Sequence, residues 1–211
     1  MNYDEKPFKE INTGKEMTEI KDMLDEGEQI LWQGKPNRKS YILSNFLKLL
    51  PVAILWLAFD TTFIVVIASN IAEIGGFVWL FVIFFAFHLM PVWMWIWNFV
   101  RSFMEIKNIE YAITDKKIIL KSGVIAIDFK IFLYSEITGA NLRRSIIDKI
   151  FKVGDIYINT TSQKGVIYDI NQPYQVYKLL QQTSNDIKSD IYYPNAYRPE
   201  ENNGYHTRYK K

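Results

Sequence analysis

Asp60 and His88 are the only ionisable side chains inside two long apolar stretches, and a carboxylate beside an imidazole can share or pass a proton. Each lies about 11 or 12 residues from the segment joining the stretches. At a rise of roughly 1.5 Å per residue, both would sit near the middle of a bilayer. An ionised group there costs at least a few kcal/mol, so each needs a partner, and the expected partner is the other. Polar packing within the pair of helices, or against another subunit, is the ordinary use of such residues. A proton relay is the alternative chemistry.

Little other chemistry is open. The chain has no cysteine, which excludes disulfides, thiolate metal sites and cysteine nucleophiles, and its two histidines are too few for a histidine metal cluster. The sequence contains no P-loop, no G-x-S-x-G, no H-E-x-x-H and no glycine-rich dinucleotide turn. No catalytic residue, metal ligand or cofactor is expected, and the chain reads as a non-enzyme. A net charge of +2 provides no field that would favour nucleic acid.

Two candidate binding surfaces remain. In Asn141 to Val153 (NLRRSIIDKIFKV), the apolar Ile146, Ile147, Ile150 and Phe151 recur at helical spacing beside Arg143, Arg144, Lys149 and Lys152. Such a segment can lie on an anionic leaflet. Alternatively, its apolar residues cover a sheet and its charges are merely solvated. Lys116 and Lys117 join the same candidate lipid or partner surface. The second surface is the polar stretch 185–211, expected to be disordered unless bound. In it Tyr192, Tyr193, Tyr197 and Arg198 are candidate partner contacts, since Tyr and Arg suit binding surfaces. Asp190, Glu200 and Glu201 interrupt its charge and argue against nucleic acid.

The elements that position these residues begin with the apolar block. Mean hydropathy is only −0.06, because apolar residues concentrate in one block between polar ends. Leu49 to Ser69 and Phe77 to Val100 offer about 21 and about 24 residues, each enough to span roughly 30 Å of hydrocarbon. The short link Asn70–Gly76 forces the two helices antiparallel. Buried helices of a soluble domain are the alternative, and they rarely stay apolar all round for this length. The N-terminus has no apolar core, so no cleavable signal peptide is expected.

Lys35, Arg38, Lys39 and Lys48 precede the block and Arg101 and Lys107 follow it, whereas the link carries only Glu73. The positive-inside rule therefore puts both termini in the cytoplasm. Trp79 near the outer end, and Trp93, Trp95 and Trp97 near the inner, suit the two interfaces. Pro91 is expected to kink the second helix.

Beyond the block the period changes. Ile109–Thr114, Lys117–Lys121, Val124–Tyr134, Asp155–Thr161 and Gly165–Ile170 read as antiparallel strands. In the third of these, Ile125, Ile127, Phe129, Ile131 and Leu133 share one face. Pro173 starts a helix with Val176, Leu179 and Leu180 on one face. Upstream, Thr13 and Glu16 can form a capping box before Met17, Ile20 and Leu24, a short amphipathic helix that must dock on this domain or on another subunit.

TyrAlaIleThrAspLysLys (Tyr111 to Lys117), Ser122-Gly123, the run from Arg144 to Thr160 containing GlyAspIleTyrIleAsnThr, and AsnGlnProTyrGlnValTyr (Asn171 to Tyr177) follow in that order. Together they resemble the bacterial pleckstrin-homology-like (PH) domain family with a two-helix transmembrane hairpin. GlyGluGlnIleLeuTrpGlnGlyLysPro (Gly27 to Pro36) is similar to the segment that precedes that hairpin. The resemblance spans about residues 26 to 183 and implies two packed antiparallel sheets closed by a C-terminal helix, and it does not imply catalysis.

The expected organisation is a cytoplasmic N-terminal segment (1–40), a two-helix transmembrane hairpin (41–104), a mainly-β PH-like domain (105–184) and a tail (185–211). The expected function is a membrane-anchored interaction or scaffold module of the bacterial plasma or inner membrane. It would bind a protein partner or inner-leaflet lipid, with possible oligomerisation. An accessory subunit of a larger membrane complex is the alternative. A channel or transporter is disfavoured, because two helices cannot enclose a pathway without oligomerising.

Overall fold

The computed structural model describes residues 18–192. Its first strand, β1 (Ile30–Gly34), pairs antiparallel with β2 (Glu110–Thr114), with Gly34 opposite Tyr111. All of the helical hairpin lies between these two neighbouring strands. β3 (Lys117–Ser122) and β4 (Asp128–Leu133) complete a four-stranded sheet in the order β1-β2-β3-β4. β5 (Ile137–Arg143), β6 (Val153–Thr160) and β7 (Lys164–Asn171) form a second, three-stranded antiparallel sheet. Gly27 to Pro36, directly ahead of the hairpin, also contains the edge strand of the domain, so the hairpin is inserted between two neighbouring strands of one sheet.

The inner faces of both sheets carry β-branched and aromatic residues at alternate positions, and these form the main core: Ile113, Ile118, Phe132, Ile156, Ile158, Ile167 and Ile170 are all fully buried. Helix α6 (Pro173–Tyr192) closes the core with Val176 and Leu180. The helix continues eight residues past the expected start of the tail at 185, and the buried Ser184 and the packed Ile187 explain why. A polar helix can be held by one docked stripe.

The third expected strand is also corrected. β4 begins only at Asp128, and its core residue is Phe132, on the face opposite the expected Ile125–Leu133 series. Phe129, Ile131 and Leu133 of that series lie on the outer face, where Ile20, Met23, Leu24 and Phe129 form a small second cluster with Ala112 and Ile119, whereas Ile125 and Ile127 belong to the β3–β4 loop. The N-terminal segment thus docks on this domain, as a single 3-10 turn (Ile20–Met23) in which the Asp22 carboxylate accepts from the Glu19 N–H at 3.1 Å. Thr13 and Glu16 lie outside the described residues.

The hairpin comprises α1 (Arg38–Ser69), a short α2 (Ile71–Ile74) and 3-10 turn (Gly75–Phe77), then α3 (Val78–His88) and α4 (Met90–Glu105). Arg38–Ser69 and Ile71–His88 are long and apolar enough to cross a membrane. Helix α1 packs along α4, and α3 meets α1 through His88. The second arm breaks at Leu89, two residues before Pro91, because proline has no N–H and crowds the preceding turn.

Alternation of direction within each sheet brings three connections to one end: the β1–β2 hairpin, the β3–β4 loop and the β5–β6 connection containing α5 (Ile146–Phe151). Helix α5 touches α1, and the N–H of Asn37 donates to the Asp169 carbonyl at the end of β7 at 2.8 Å. The β2–β3 and β6–β7 turns lie at the opposite end.

Candidate functional site

The base of the hairpin is fastened to the domain at both arms. Asn37 caps α1, its side-chain oxygen accepting from the N–H groups of Lys39 (3.1 Å) and Ser40 (3.2 Å). The Ser40 hydroxyl donates to the Asp169 carboxylate, and Tyr41, in the domain core, meets Tyr168 edge-to-face at 6.4 Å. Asp169 can reach Ser40 because its backbone is left-handed (φ 51°), a conformation aspartate tolerates. Its own N–H donates to Asp155 Oδ1 at 2.8 Å. Burial, reinforced by the charges of Asp155 and Asp148 and opposed by the Ser40 hydrogen bond, pushes the Asp169 carboxyl up to about 7. Burial likewise raises Asp155, with the Asp169 N–H and Arg143 opposing. On the second arm, Asn108 Nδ2 donates to the carbonyls of Gly123 (3.2 Å) and Val124 (3.4 Å), fixing the β3–β4 loop beside the end of α4.

Within the hairpin, Asp60 and His88 meet: Nδ1 lies 2.8 Å from Asp60 Oδ1, and Asp60 is fully buried. Asp60 Oδ2 has no hydrogen-bond partner among the described residues. His88 is sandwiched by rings, stacked on Phe84 at 5.0 Å with Trp56 at 5.3 Å.

Two tryptophans bond across the hairpin. The break at Pro91 redirects the Val92 N–H to Leu89, leaving the His88 carbonyl free of its helical donor, and Trp56 Nε1 donates to it at 2.7 Å. Near Pro51, which α1 accommodates without ending, Trp95 Nε1 donates to the Phe46 carbonyl at 2.9 Å. Each arm thus supplies an indole to the other near its proline, and the bond from Trp56 satisfies a carbonyl that has lost its helical donor.

The candidate basic surface separates into two parts. Arg143, Lys149 and Lys152 are exposed at the hairpin end. Arg144 is committed to the fold: its Nε donates to the Val153 carbonyl at 2.7 Å and its guanidinium lies 5.6 Å from the Tyr174 ring centre. The apolar residues of α5 divide: Ile146 and Ile150 are 79% and 70% exposed, whereas Ile147 and Phe151 are half-buried and the helix packs against α1 and β6. Lys116 and Lys117 lie in and beside the β2–β3 turn, at the far end. Lys117 is buried with its ammonium 3.2 Å from both Asp25 and Glu28. Burial alone would lower that ammonium, but hydrogen bonds and charge from Glu28 and Asp25 outweigh it and raise its pKa. Of the candidate tail contacts, Tyr192 is the last residue of α6, while Tyr193, Tyr197 and Arg198 lie outside the described residues.

The short motifs read in the sequence prove to be fasteners. Thr114 Oγ1 lies 2.5 Å from Glu28 Oε1 and accepts from the Lys117 N–H at 2.9 Å, and Asp115 Oδ1 accepts from the Gln29 N–H at 2.9 Å. Thr114, Asp115 and Lys117 therefore bind the segment leading into β1. Tyr111 OH accepts from the Tyr168 N–H at 3.2 Å, joining the two sheets. In GlyAspIleTyrIleAsnThr, a Cβ on Gly154 would come 2.9 Å from Arg144 Cγ and 3.0 Å from Pro173, so the sheet and α6 meet closely only over glycine. Sequence reasoning missed the Ser40–Asp169 contact and the role of β1. A polar Asn-x-x-Ser before the first helix was the available signal. Among the described residues, no group of three or more His, Cys, Asp or Glu could hold a metal ion.

Two packed antiparallel sheets closed by a C-terminal helix define a PH-like domain, here with a helical hairpin between its first two strands. The profile described as bacterial PH domain matches residues 49–184, and the chain belongs to that family. Among solved structures, a DUF1696 family protein with a pleckstrin-homology domain from Shewanella loihica PV-4 is similar at 15% identity and a TM-score of 0.31, over 37% of this chain and 73% of that one. No curated protein matches.

Proposed function

We propose that this chain is a non-catalytic, membrane-anchored interaction module. Its hairpin crosses the cytoplasmic membrane and returns, keeping both termini inside and the PH-like domain against the inner face, where it binds a protein partner. The insertion of the hairpin between β1 and β2 carries this reading. Both arms leave the same domain, so neither end can cross without the other, and Asn37, Ser40 and Asn108 fix the domain relative to the base of the hairpin. Lateral confinement raises effective concentration near membrane targets, so weak contacts suffice. The flanking Lys35, Arg38, Lys39, Arg101 and Lys107 support the orientation. The test is carbonate extraction together with compartment reporters fused at each end. Release by carbonate, or reporters in opposite compartments, would end this reading.

The outward tryptophans favour a second reading, the accessory subunit. Trp79, Trp93 and Trp97 are 58%, 55% and 63% exposed, and a neighbouring subunit could cover them. Native electrophoresis after mild-detergent extraction separates the two: a small homo-oligomer supports the module, a stable large assembly the subunit.

A further inference from the structure

At the hairpin end of the domain, large apolar side chains face outward on two separate connections. Ile125, at the tip of the β3–β4 loop, is 98% exposed, and Ile146 and Ile150 project from α5 in the β5–β6 connection. The two connections belong to different sheets, yet both lie beside the base of the hairpin. One is held to the end of α4 by Asn108, and the other touches α1.

Neither is loosely held. The β3–β4 loop turns on Gly123 at φ 138°, where an added Cβ would fall 1.8 Å from the Ala126 carbonyl oxygen. Helix α5 is closed by a reciprocal cap, the Ser145 N–H donating to Asp148 at 2.6 Å and the Asp148 N–H to the Ser145 hydroxyl at 3.2 Å. Lys152 ends α5 in the left-handed conformation. Asp148 is consumed in that cap, so Lys149 and Lys152 face outward without an acidic residue of α5 beside them, and the exposed Arg143 stands opposite Asp155 across the β5–β6 pair.

We infer that this end of the domain is a second membrane contact, in which Ile125, Ile146 and Ile150 enter the interfacial layer of the inner leaflet while Arg143, Lys149 and Lys152 meet anionic headgroups. The inference rests on the membrane-spanning reading above. Three features point to lipid as the occupant. The isoleucines flank the bases of both arms, where the leaflet must begin. Basic side chains rim them, as on interfacial amphipathic elements. A protein seated on both connections would have to lie within the headgroup layer. The consequence is a domain docked at three places, with the β2–β3 and β6–β7 turns directed away from the membrane.

The absence of cysteine allows single labels on the full chain. Ile125→Cys, Ile146→Cys and Ile150→Cys would each carry an environment-sensitive fluorophore. Val66→Cys in the hairpin and Ser162→Cys in the far turn serve as references. The protein is reconstituted in phosphatidylcholine vesicles with or without phosphatidylglycerol, and spin-labelled lipids act as quenchers. The expected result is loss of fluorescence at the three isoleucine positions with shallow quenchers, greater with phosphatidylglycerol, with no loss at position 162 and lipid quenching at 66.

Quenching at 66 with none at 125, 146 and 150 overturns the docking surface and leaves the hairpin reading standing. No quenching at 66 removes both. Shielding of the three labels from a water-soluble quencher without lipid quenching overturns the inference in favour of a second copy of the chain. Equal quenching in both lipid mixtures overturns the assignment of the basic residues, as does a Lys149→Glu/Lys152→Glu variant that retains the phosphatidylglycerol effect.

Discussion

The Ser40 hydroxyl in the first turn of α1 donates to the carboxylate of Asp169 at the end of β7, joining residues on opposite sides of the inserted hairpin. With the Asn37–Asp169 backbone bond, it ties the base of the helix to the second sheet rather than to the sheet its chain enters from. The geometry depends on a left-handed aspartate, and that aspartate is also the group most displaced towards neutral pH.

Asp169 makes the junction pH-dependent. Its folded value, about 7, lies above the ordinary 3.8, so the folded state binds a proton more readily than the unfolded. The contribution is least favourable above pH 7 and improves as pH falls towards the unfolded value, by at most about 1.4 kcal/mol per pH unit. Asp155, also raised, adds in the same sense. Thermal unfolding in detergent between about pH 8 and about pH 5 should show rising stability. Asp169→Asn should reduce that slope, and a variant with the parental slope refutes the assignment.

Inside the hairpin, Trp56→Phe removes the donor to the His88 carbonyl and should destabilise by about 0.6 kcal/mol, the average for hydrogen bonds between membrane helices, and by no more than about 1.7 kcal/mol. Asp60→Asn keeps a partner for His88, whereas Asp60→Ala does not, so the alanine variant should be the less stable. Unfolding in mixed detergent micelles measures both. Two Asp60 variants as stable as the parent would show that the pair contributes nothing.

Lys117 anchors the N-terminal segment. Lys117→Met strands the buried Glu28 carboxylate and should cost about 3–5 kcal/mol, as for other buried pairs losing one member. The double variant Glu28→Met/Lys117→Met should recover part of the loss. Limited proteolysis gives a second readout, with cleavage ahead of β1 accelerated in Lys117→Met and less so in the double variant. Identical cleavage in all forms argues against the anchor.

Gly123→Ala combines a positive φ with a clash against the Ala126 carbonyl and should destabilise by on the order of 1–3 kcal/mol. Gly76→Ala, with nothing within 4 Å of the new methyl, should fall within about 0.5 kcal/mol of the parent. Parallel denaturation of the two variants tests the turn, and equal stabilities would refute it.

Local patterns made much of this legible in the chain itself. Two runs of about 20 apolar residues signal the hairpin arms, because desolvating that many side chains outweighs any local alternative. Asp60 and His88 could be paired from their equal depths, since an ionisable group in an apolar stretch demands a partner. Alternation and turn residues marked most strands, and the ordered motifs identified the family. Only the folded molecule shows that β1 belongs to the sheet whose next strand is Glu110–Thr114, after the intervening hairpin. A five-residue edge strand has too little periodic signal, and its partners are distant in sequence. The same applies to Lys117, read as a surface charge until Glu28 is brought beside it, and to Ile125, whose alternation matched a strand although the Gly123 turn delays β4 until Asp128. Side-chain character is encoded locally, whereas which face is covered depends on contacts between segments far apart in the chain.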